Sequence, residues 1–222
     1  LADGFQYELT PGYHNVSLLS IARAVALARA AGRDDEVPDE MVERMEKGFD
    51  VDLYMMTPDG CLPALNDSGP RLRVAPILER AREFFPSRSE YRWVCSKGRE
   101  GRPPRHTSFF FDRAGYAVMR GGWESDANMA CFDVGPVGSN HVHQDKLNLV
   151  VWAYGHEVLF DAGGGAYEDS RFRKYDLSTF AHNTVLVDGL PQARPQQPPD
   201  GAPIHAHWQS HETFDFASGV YT

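Results

Sequence analysis

The spacing of apolar residues changes once along this chain of 222 residues, and that change constrains the fold more than any other feature. Residues 14–31 repeat apolar side chains with a helical period, and Gly32 stands where a helix C-cap is expected. From Thr107 onward, short apolar runs separated by turn residues replace that period. Helices followed by strands without intervening helices predict an α+β chain with an antiparallel sheet.

We predict that residues 1–87 form a helical part. Pro38 opens a second helix in which an apolar residue recurs at every fourth position, at Met41, Met45, Phe49 and Leu53. A third helix is predicted from near Pro70 to Phe85. Such stripes favour core packing over a cofactor surface.

Residues 88–106 mix arginine with glycine and proline and show no apolar period, so we predict a linker there. Residues 107–222 are then an antiparallel β-sandwich domain. Its predicted strands cover residues 108–111, 116–120, 129–134, 147–154, 158–160 and 184–187, with further pieces after residue 204. A hairpin turn is predicted at residues 154–157.

Composition excludes several classes of protein. A formal charge of -9 argues against a nucleic-acid partner, and no apolar run is long enough to span a membrane. Three widely spaced cysteines make a disulfide framework improbable, although one bridge is open. The chain starts at Leu1 without a methionine, and we expect it to be a piece of a longer protein. Its oligomeric state is not determined by the sequence.

Four side chains in the second half suggest a metal centre. His143, Asp161 and His182 are a candidate ligand set, because imidazole and carboxylate groups suit zinc. His141 is then left for acid–base chemistry. Two alternatives stay open: residues i and i+2 of an extended segment point the same way, so His141 could share the metal, and Asp161 could be a turn residue.

A second candidate segment leads into the first helix and brings Glu8, Tyr13 and His14 close together. A tyrosine with a lowered pKa can act as a base or an acid. The alternative is that Tyr13 packs at the start of the helix.

Ordered motifs in both halves resemble one family. The pattern Asp3-Gly-x-x-x-Glu8-x-x-Pro11-x-Tyr13-His14 is similar to a segment near the end of the helical toroid in the heparinase II/III-like polysaccharide lyases. The stretch from Gly115 to Arg120, His141-Val-His143-Gln-Asp145, Phe160-Asp161-Ala-Gly163, Tyr167 and His182-Asn183-Thr184 resembles that family's sandwich domain.

The resemblance implies the C-terminal part of an incomplete α/α toroid followed by an antiparallel β-sandwich, with substrate bound between them. It implies that Tyr13 and His141 are catalytic and that His143, Asp161 and His182 bind a structural zinc ion. Tyr167 matches a substrate-contacting tyrosine, and we predict that Glu8 and His14 bind substrate beside Tyr13. The asparagine or histidine that neutralises the uronate carboxylate in the family is expected N-terminal to Leu1.

The implied activity is β-elimination on an acidic, uronic-acid-containing polysaccharide or oligosaccharide, which leaves a 4,5-unsaturated uronate end. The C5 proton becomes acidic when donors stabilise the adjacent carboxylate, and an acid protonates the departing O4. Substrates of this kind imply a periplasmic or secreted location. Arg171, Arg173 and Lys174 could meet anionic groups or lie on a solvated loop. The polymer itself is not determined.

Two other functions compete with a lyase. Gly135 followed by His141-x-His143 fits half of a cupin motif, which would predict a metal-dependent oxygenase or isomerase, but Leu147 and Asn148 stand where a glutamate ligand is needed. A non-catalytic carbohydrate-binding sandwich with a structural metal is the third hypothesis. It would stack sugars on tryptophans, which we expect to be core residues in at least one case, Trp152.

Overall fold

The helical half comes first in the computed structural model, which describes residues 1–164, 167–196 and 204–221. Its helices are α1 (Pro11–Ala30), α2 (Asp39–Met55), α3 (Val74–Phe84) and α4 (Ser89–Cys95). Helix α1 begins three residues before its predicted start, because Pro11 fits a first helical turn that needs no N–H donor. Gly32 follows α1 with φ +69°, as the predicted C-cap requires.

Gly48 lies where α1 packs closely on α2. A Cβ built on Gly48 would lie 2.7 Å from Leu18 Cδ1, so a larger residue there would require the Leu18 side chain to shift. The apolar residues of the second predicted stripe are core residues in part: Met45, Phe49 and Leu53 are buried, whereas Met41 is 41% exposed. Burial of such side chains stabilises the helical half by about 1.5–3 kcal/mol each.

The second half is built on a five-stranded antiparallel sheet with the strand order β1-β2-β3-β4-β5. The strands are β1 (Phe109–Phe111), β2 (Tyr116–Arg120), β3 (Met129–Asp133), β4 (Leu149–Ala153) and β5 (His156–Leu159). Burial alternates along β3, as expected for a sheet with one face on the core. A second hairpin, β6 (Ala206–Ser210) and β7 (Asp215–Gly219), lies against this sheet, with Trp208 stacked on Phe110 at 5.7 Å. The predicted α+β class is confirmed.

Three local predictions need correction. Helix α4 lies inside the predicted linker, because Tyr91 and Val94 are buried in the core of the helical half. The strand predicted at residues 184–187 is wrong: its apolar side chains are exposed, and only an isolated bridge joins Val187 to Leu190. The segment after Tyr167 contains an unpredicted helix, α5 (Arg171–Asp176).

The two halves share one hydrophobic core. Phe5, ahead of α1, packs its ring against Phe111 and Tyr116 of the sheet, with centroids 5.4 and 5.2 Å away. The Tyr116 hydroxyl donates to the Leu9 carbonyl at 2.8 Å. Arg120 reaches from β2 into the helical half. This continuous contact fixes the start of α1 relative to the loops of the sheet.

Two findings concern the whole described chain. Among the described residues, no helix combines the length and apolar character needed to cross a membrane. Cys61, Cys95 and Cys131 are free thiols.

Candidate active site

Tyr13 and His141 meet at the junction of the two halves. Tyr13 lies in the first turn of α1, and His141 lies in the loop between β3 and β4. Their rings are stacked, with centroids 3.5 Å apart and planes 8° from parallel. Both side chains are partly exposed, so a ligand bound at this junction can reach a phenol from one half and an imidazole from the other.

Glu8 orients the His141 imidazole. Its Oε2 atom lies 2.8 Å from His141 Nδ1, with both side chains largely buried. The backbone is held as well, because the His141 carbonyl accepts from Thr10 Oγ1 at 3.0 Å and from the Asp67 amide at 3.2 Å. With Nδ1 occupied by Glu8, Nε2 is the ring nitrogen available for proton transfer.

Tyr167 lies beside Tyr13 and is the third aromatic residue of the site. Its hydroxyl lies 2.8 Å from the Tyr13 hydroxyl and donates to Asp67 Oδ2 at 3.0 Å. Burial, together with the bonds to Tyr13 and Asp67, raises the pKa of Tyr167 above its ordinary value. The side chain is nevertheless 63% exposed, a position compatible with the predicted substrate contact.

Asp67 is a site residue that sequence analysis missed. It lies in the loop between α2 and α3, and its side chain is 1% exposed. Its carboxylate accepts from His143 Nε2 at 2.8 Å, from Tyr167, and from both terminal nitrogens of Arg173, one at 2.7 Å. Burial would raise the pKa of Asp67, but the hydrogen bonds from His143 and Arg173 outweigh it and hold that pKa well below its usual value. Arg173 is therefore paired inside the site rather than solvated.

The predicted metal ligands lie close together, and two of them are hydrogen-bonded to each other. His182 Nδ1 donates to Asp161 Oδ2 at 2.8 Å, and the His143 and His182 rings are 5.1 Å apart. Burial lowers the pKa of His182, yet the hydrogen bond to Asp161 and the nearby charges of Asp145 and Asp161 together outweigh burial, and the net shift is upward. Across residues 1–164, 167–196 and 204–221, no three His, Cys, Asp or Glu side chains are grouped as a metal would require.

Two buried nitrogens nevertheless fit a metal ion. Among the described residues, His143 Nδ1 and His182 Nε2 have no hydrogen-bond partner, although both are enclosed. Each histidine uses its other nitrogen on a carboxylate, His143 on Asp67 and His182 on Asp161. Histidines that bind metals usually have such a carboxylate on the second nitrogen, so the residues present suit zinc.

His14 occupies a different position from the one predicted. It is 2% exposed, its Nδ1 accepts from the Gln6 amide at 3.1 Å, and its Nε2 lies 3.0 Å from the Gly48 carbonyl. Burial lowers the pKa of His14 to about 4. This buried position argues against the predicted substrate contact and assigns His14 to the packing of α1 on α2.

Comparison with known proteins agrees with this architecture. The Heparinase II/III N-terminus family model matches residues 1–93, and the Heparinase II/III-like, C-terminal model matches residues 103–218. The chain is 26% identical over 194 residues to a heparin-sulfate lyase of Pedobacter heparinus and 27% identical over 193 residues to one of Bacteroides stercoris. Each alignment covers 84% of this chain and 29% of the relative, so the chain spans less than a third of their length.

A solved structure shares the fold. A heparinase III superposes with a TM-score of 0.82 and 24% identity over 95% of this chain and 32% of that chain. These matches favour the lyase hypothesis over the cupin-like one. The carbohydrate-binding hypothesis loses one of its stacking residues, because Trp152 is buried as expected, at 4% exposure.

Proposed function

Because the chain belongs to the heparinase II/III family, we propose that it is part of a lyase that cleaves a uronic-acid-containing polysaccharide by β-elimination. The product carries a 4,5-unsaturated uronate end. The observation that carries this proposal is the stacking of Tyr13, from the helical half, on His141, from the sheet half. The curated relatives are named heparin-sulfate lyases, so heparan sulfate is the first substrate to test.

In this mechanism His141 Nε2 accepts the C5 proton and Tyr13 donates its hydroxyl proton to the departing O4, after which a proton passes from His141 back to Tyr13. Glu8 holds the His141 imidazole through Nδ1, which leaves Nε2 free for this step. A phenol and an imidazole side by side suit these steps, because a phenol can donate a proton and a neutral imidazole can accept one. Tyr167, whose hydroxyl lies 2.8 Å from the Tyr13 hydroxyl, contacts the sugar beside Tyr13. Because the proposed substrate is a polysaccharide, we propose a periplasmic or secreted location.

A structural zinc ion is part of the proposal. His143 and His182 would supply the nitrogens that lack a hydrogen-bond partner, and Asp161 would supply a carboxylate oxygen. The ion, when bound, would hold the loops that carry His141 and Tyr167. The ion pair between Arg173 and Asp67 stabilises the same loops.

The activity is tested with the full-length protein and a set of uronate polymers, beginning with heparan sulfate. We expect growth of ultraviolet absorbance from the new double bond, in parallel with the appearance of reducing ends. Reducing ends without that absorbance would mean hydrolysis and would contradict the proposal.

The metal is tested by elemental analysis of the purified protein. We expect about one zinc ion per chain, a loss of most of it in His182→Ala, and a lower Tm after chelation. His156→Ala is the matched control, since this histidine is exposed on β5, and it should keep its metal. Full zinc content in His182→Ala would remove that residue from the ligand set.

A further inference from the structure

The buried Asp67 carboxylate joins three segments of the chain that are far apart in sequence. It comes from the loop between α2 and α3, whereas His143 follows β3, and Tyr167 and Arg173 lie near α5. Its Oδ1 accepts from His143 and Arg173, and its Oδ2 accepts from Tyr167 and Arg173. Because a carboxylate paired with an arginine on both oxygens only accepts hydrogen bonds, Asp67 fixes the direction of each of these bonds.

The direction of the bond to Tyr167 determines what Tyr13 does. Tyr167 has a single hydroxyl proton, and that proton points to Asp67 Oδ2 at 3.0 Å. The Tyr167 oxygen therefore accepts from the Tyr13 hydroxyl, 2.8 Å away. The Tyr13 phenol is thus held as a donor to Tyr167 while its ring is stacked on His141.

We propose that Asp67 is a positioning residue of the lyase reaction, which turns the Tyr167 proton away from Tyr13 and so holds the Tyr13 hydroxyl in place as a hydrogen-bond donor, with its ring over His141, before substrate binds. This inference rests on the proposed function. Asp67 does not touch the substrate, and it acts on Tyr13 only through Tyr167. Its contact with His143 links the same carboxylate to the predicted metal group.

The test compares Asp67→Asn with a matched control in the full-length enzyme. Asp50→Asn is that control, because Asp50 also binds both terminal nitrogens of an arginine (Arg88) and accepts from a tyrosine (Tyr91, 2.9 Å), but in the helical half. Kinetic constants are corrected for the folded fraction and for metal content. The wild-type enzyme is assayed in parallel. A wild type without lyase activity contradicts the proposed function, whereas an active wild type together with an Asp67→Asn variant of unchanged kcat contradicts this inference alone.

For Asp67→Asn we expect kcat to fall by at least about tenfold with KM changed less than about twofold. The asparagine side chain has only one acceptor oxygen, whereas the carboxylate has two. It therefore cannot accept from Arg173 at one atom and from Tyr167 at the other, and Tyr167 loses its fixed orientation. Asp50→Asn should leave both kcat and KM unchanged.

A double-variant cycle with Tyr167→Phe decides the route of the effect. If Asp67 acts through Tyr167, then Asp67→Asn has no further effect on kcat once Tyr167 is phenylalanine. An equal loss of kcat in both backgrounds would overturn the inference. So would a loss that disappears once the rates are corrected for folded and metal-loaded protein. If Asp67→Asn does not fold, Tyr167→Phe alone decides, since wild-type kcat in that variant would also overturn it.

Discussion

At the scale of single residues, the backbone at His141 is unusual. His141 has a φ of +48° and Asn140 has a φ of +57°, in the left-handed region that residues other than glycine rarely adopt. Hydrogen bonds from Thr10 and Asp67 to the His141 carbonyl hold this conformation. Such outliers cluster at functional sites, where the surrounding structure compensates for the strain. Here the strained backbone places the imidazole flat against Tyr13.

Tyr13→Phe tests the catalytic role of the phenol. The variant keeps the ring that stacks on His141 and removes only the hydroxyl. We expect kcat to fall by at least about a thousandfold, as for loss of a general acid–base group, with unchanged fold and zinc content. The measurement is ultraviolet absorbance growth with the full-length enzyme, with circular dichroism as the control for folding. Wild-type rates in Tyr13→Phe would refute the assignment.

Glu8 was predicted to bind substrate, and its contact with His141 suggests that it orients the imidazole. We therefore expect Glu8→Ala to lower kcat by about tenfold or more while KM changes little, because the ring loses its partner at Nδ1. Glu8→Gln keeps a hydrogen-bonding group at that position and should lose less. A rise in KM alone, with kcat intact, would instead favour direct substrate binding.

At the scale of elements, Arg120 connects the sheet to the end of α2. Its Nη2 atom donates to the carbonyls of Tyr54 and Met56, at 2.9 and 2.7 Å, and its guanidinium lies 4.1 Å from the Trp123 ring centroid. The last carbonyls of a helix have no partner within the helix, so a buried arginine from another element replaces water there. Burial lowers the pKa of Arg120 to about 10, which leaves it charged at neutral pH.

Replacing Arg120 should therefore destabilise the junction between the halves. We expect Arg120→Met to lower the free energy of unfolding by about 2–4 kcal/mol, because buried carbonyls lose their donor. Denaturant unfolding of Arg120→Met beside Arg113→Met measures this, since Arg113 is an exposed arginine in the turn between β1 and β2. Equal stability of the two variants would contradict the role given to Arg120.

At the scale of the whole molecule, stability should depend on the ionisation of Asp52. This carboxyl is fully buried between α1 and α2, where Asn15 Nδ2 donates to Oδ1 at 2.6 Å. Within the described residues, Asp52 Oδ2 and Asn15 Oδ1 have no partner, an arrangement that a protonated carboxyl relieves. Burial raises the pKa of Asp52 to about 8.

The sign of the pH effect follows from that shift. Asp52 is protonated in the folded chain at pH values where it is already ionised in the unfolded chain, so its contribution to stability is complete below pH of about 4 and is lost as the pH rises through about 8. We expect Asp52→Asn, which cannot ionise, to lose less stability than wild type between pH 5 and pH 8, by at least about 1 kcal/mol. Unfolding free energies at the two pH values measure this, and parallel losses in both proteins would contradict the buried-acid interpretation.

Local patterns were sufficient for most elements of this fold. The period of apolar residues predicted α2 and its core face, and the alternating runs predicted β2 with its observed bounds. The apolar patterns gave wrong predictions in short segments, where only two or three residues define the pattern. Helix α4 has only Tyr91 and Val94 in the core, and residues 184–187 look like a strand although Val185 and Val187 face solvent.

The sequence by itself determined the family, the α+β class and the residue types at the candidate site, because each of these follows from motifs or periodicities within short segments of the chain. Only the tertiary structure decided which groups meet. Asp67 lies 76 residues from His143 and 100 from Tyr167, and no local pattern links residues at such separations. It decided equally that His14 faces the core and Glu8 faces His141, since a side chain's direction depends on the packing of helix against sheet rather than on its neighbours in sequence.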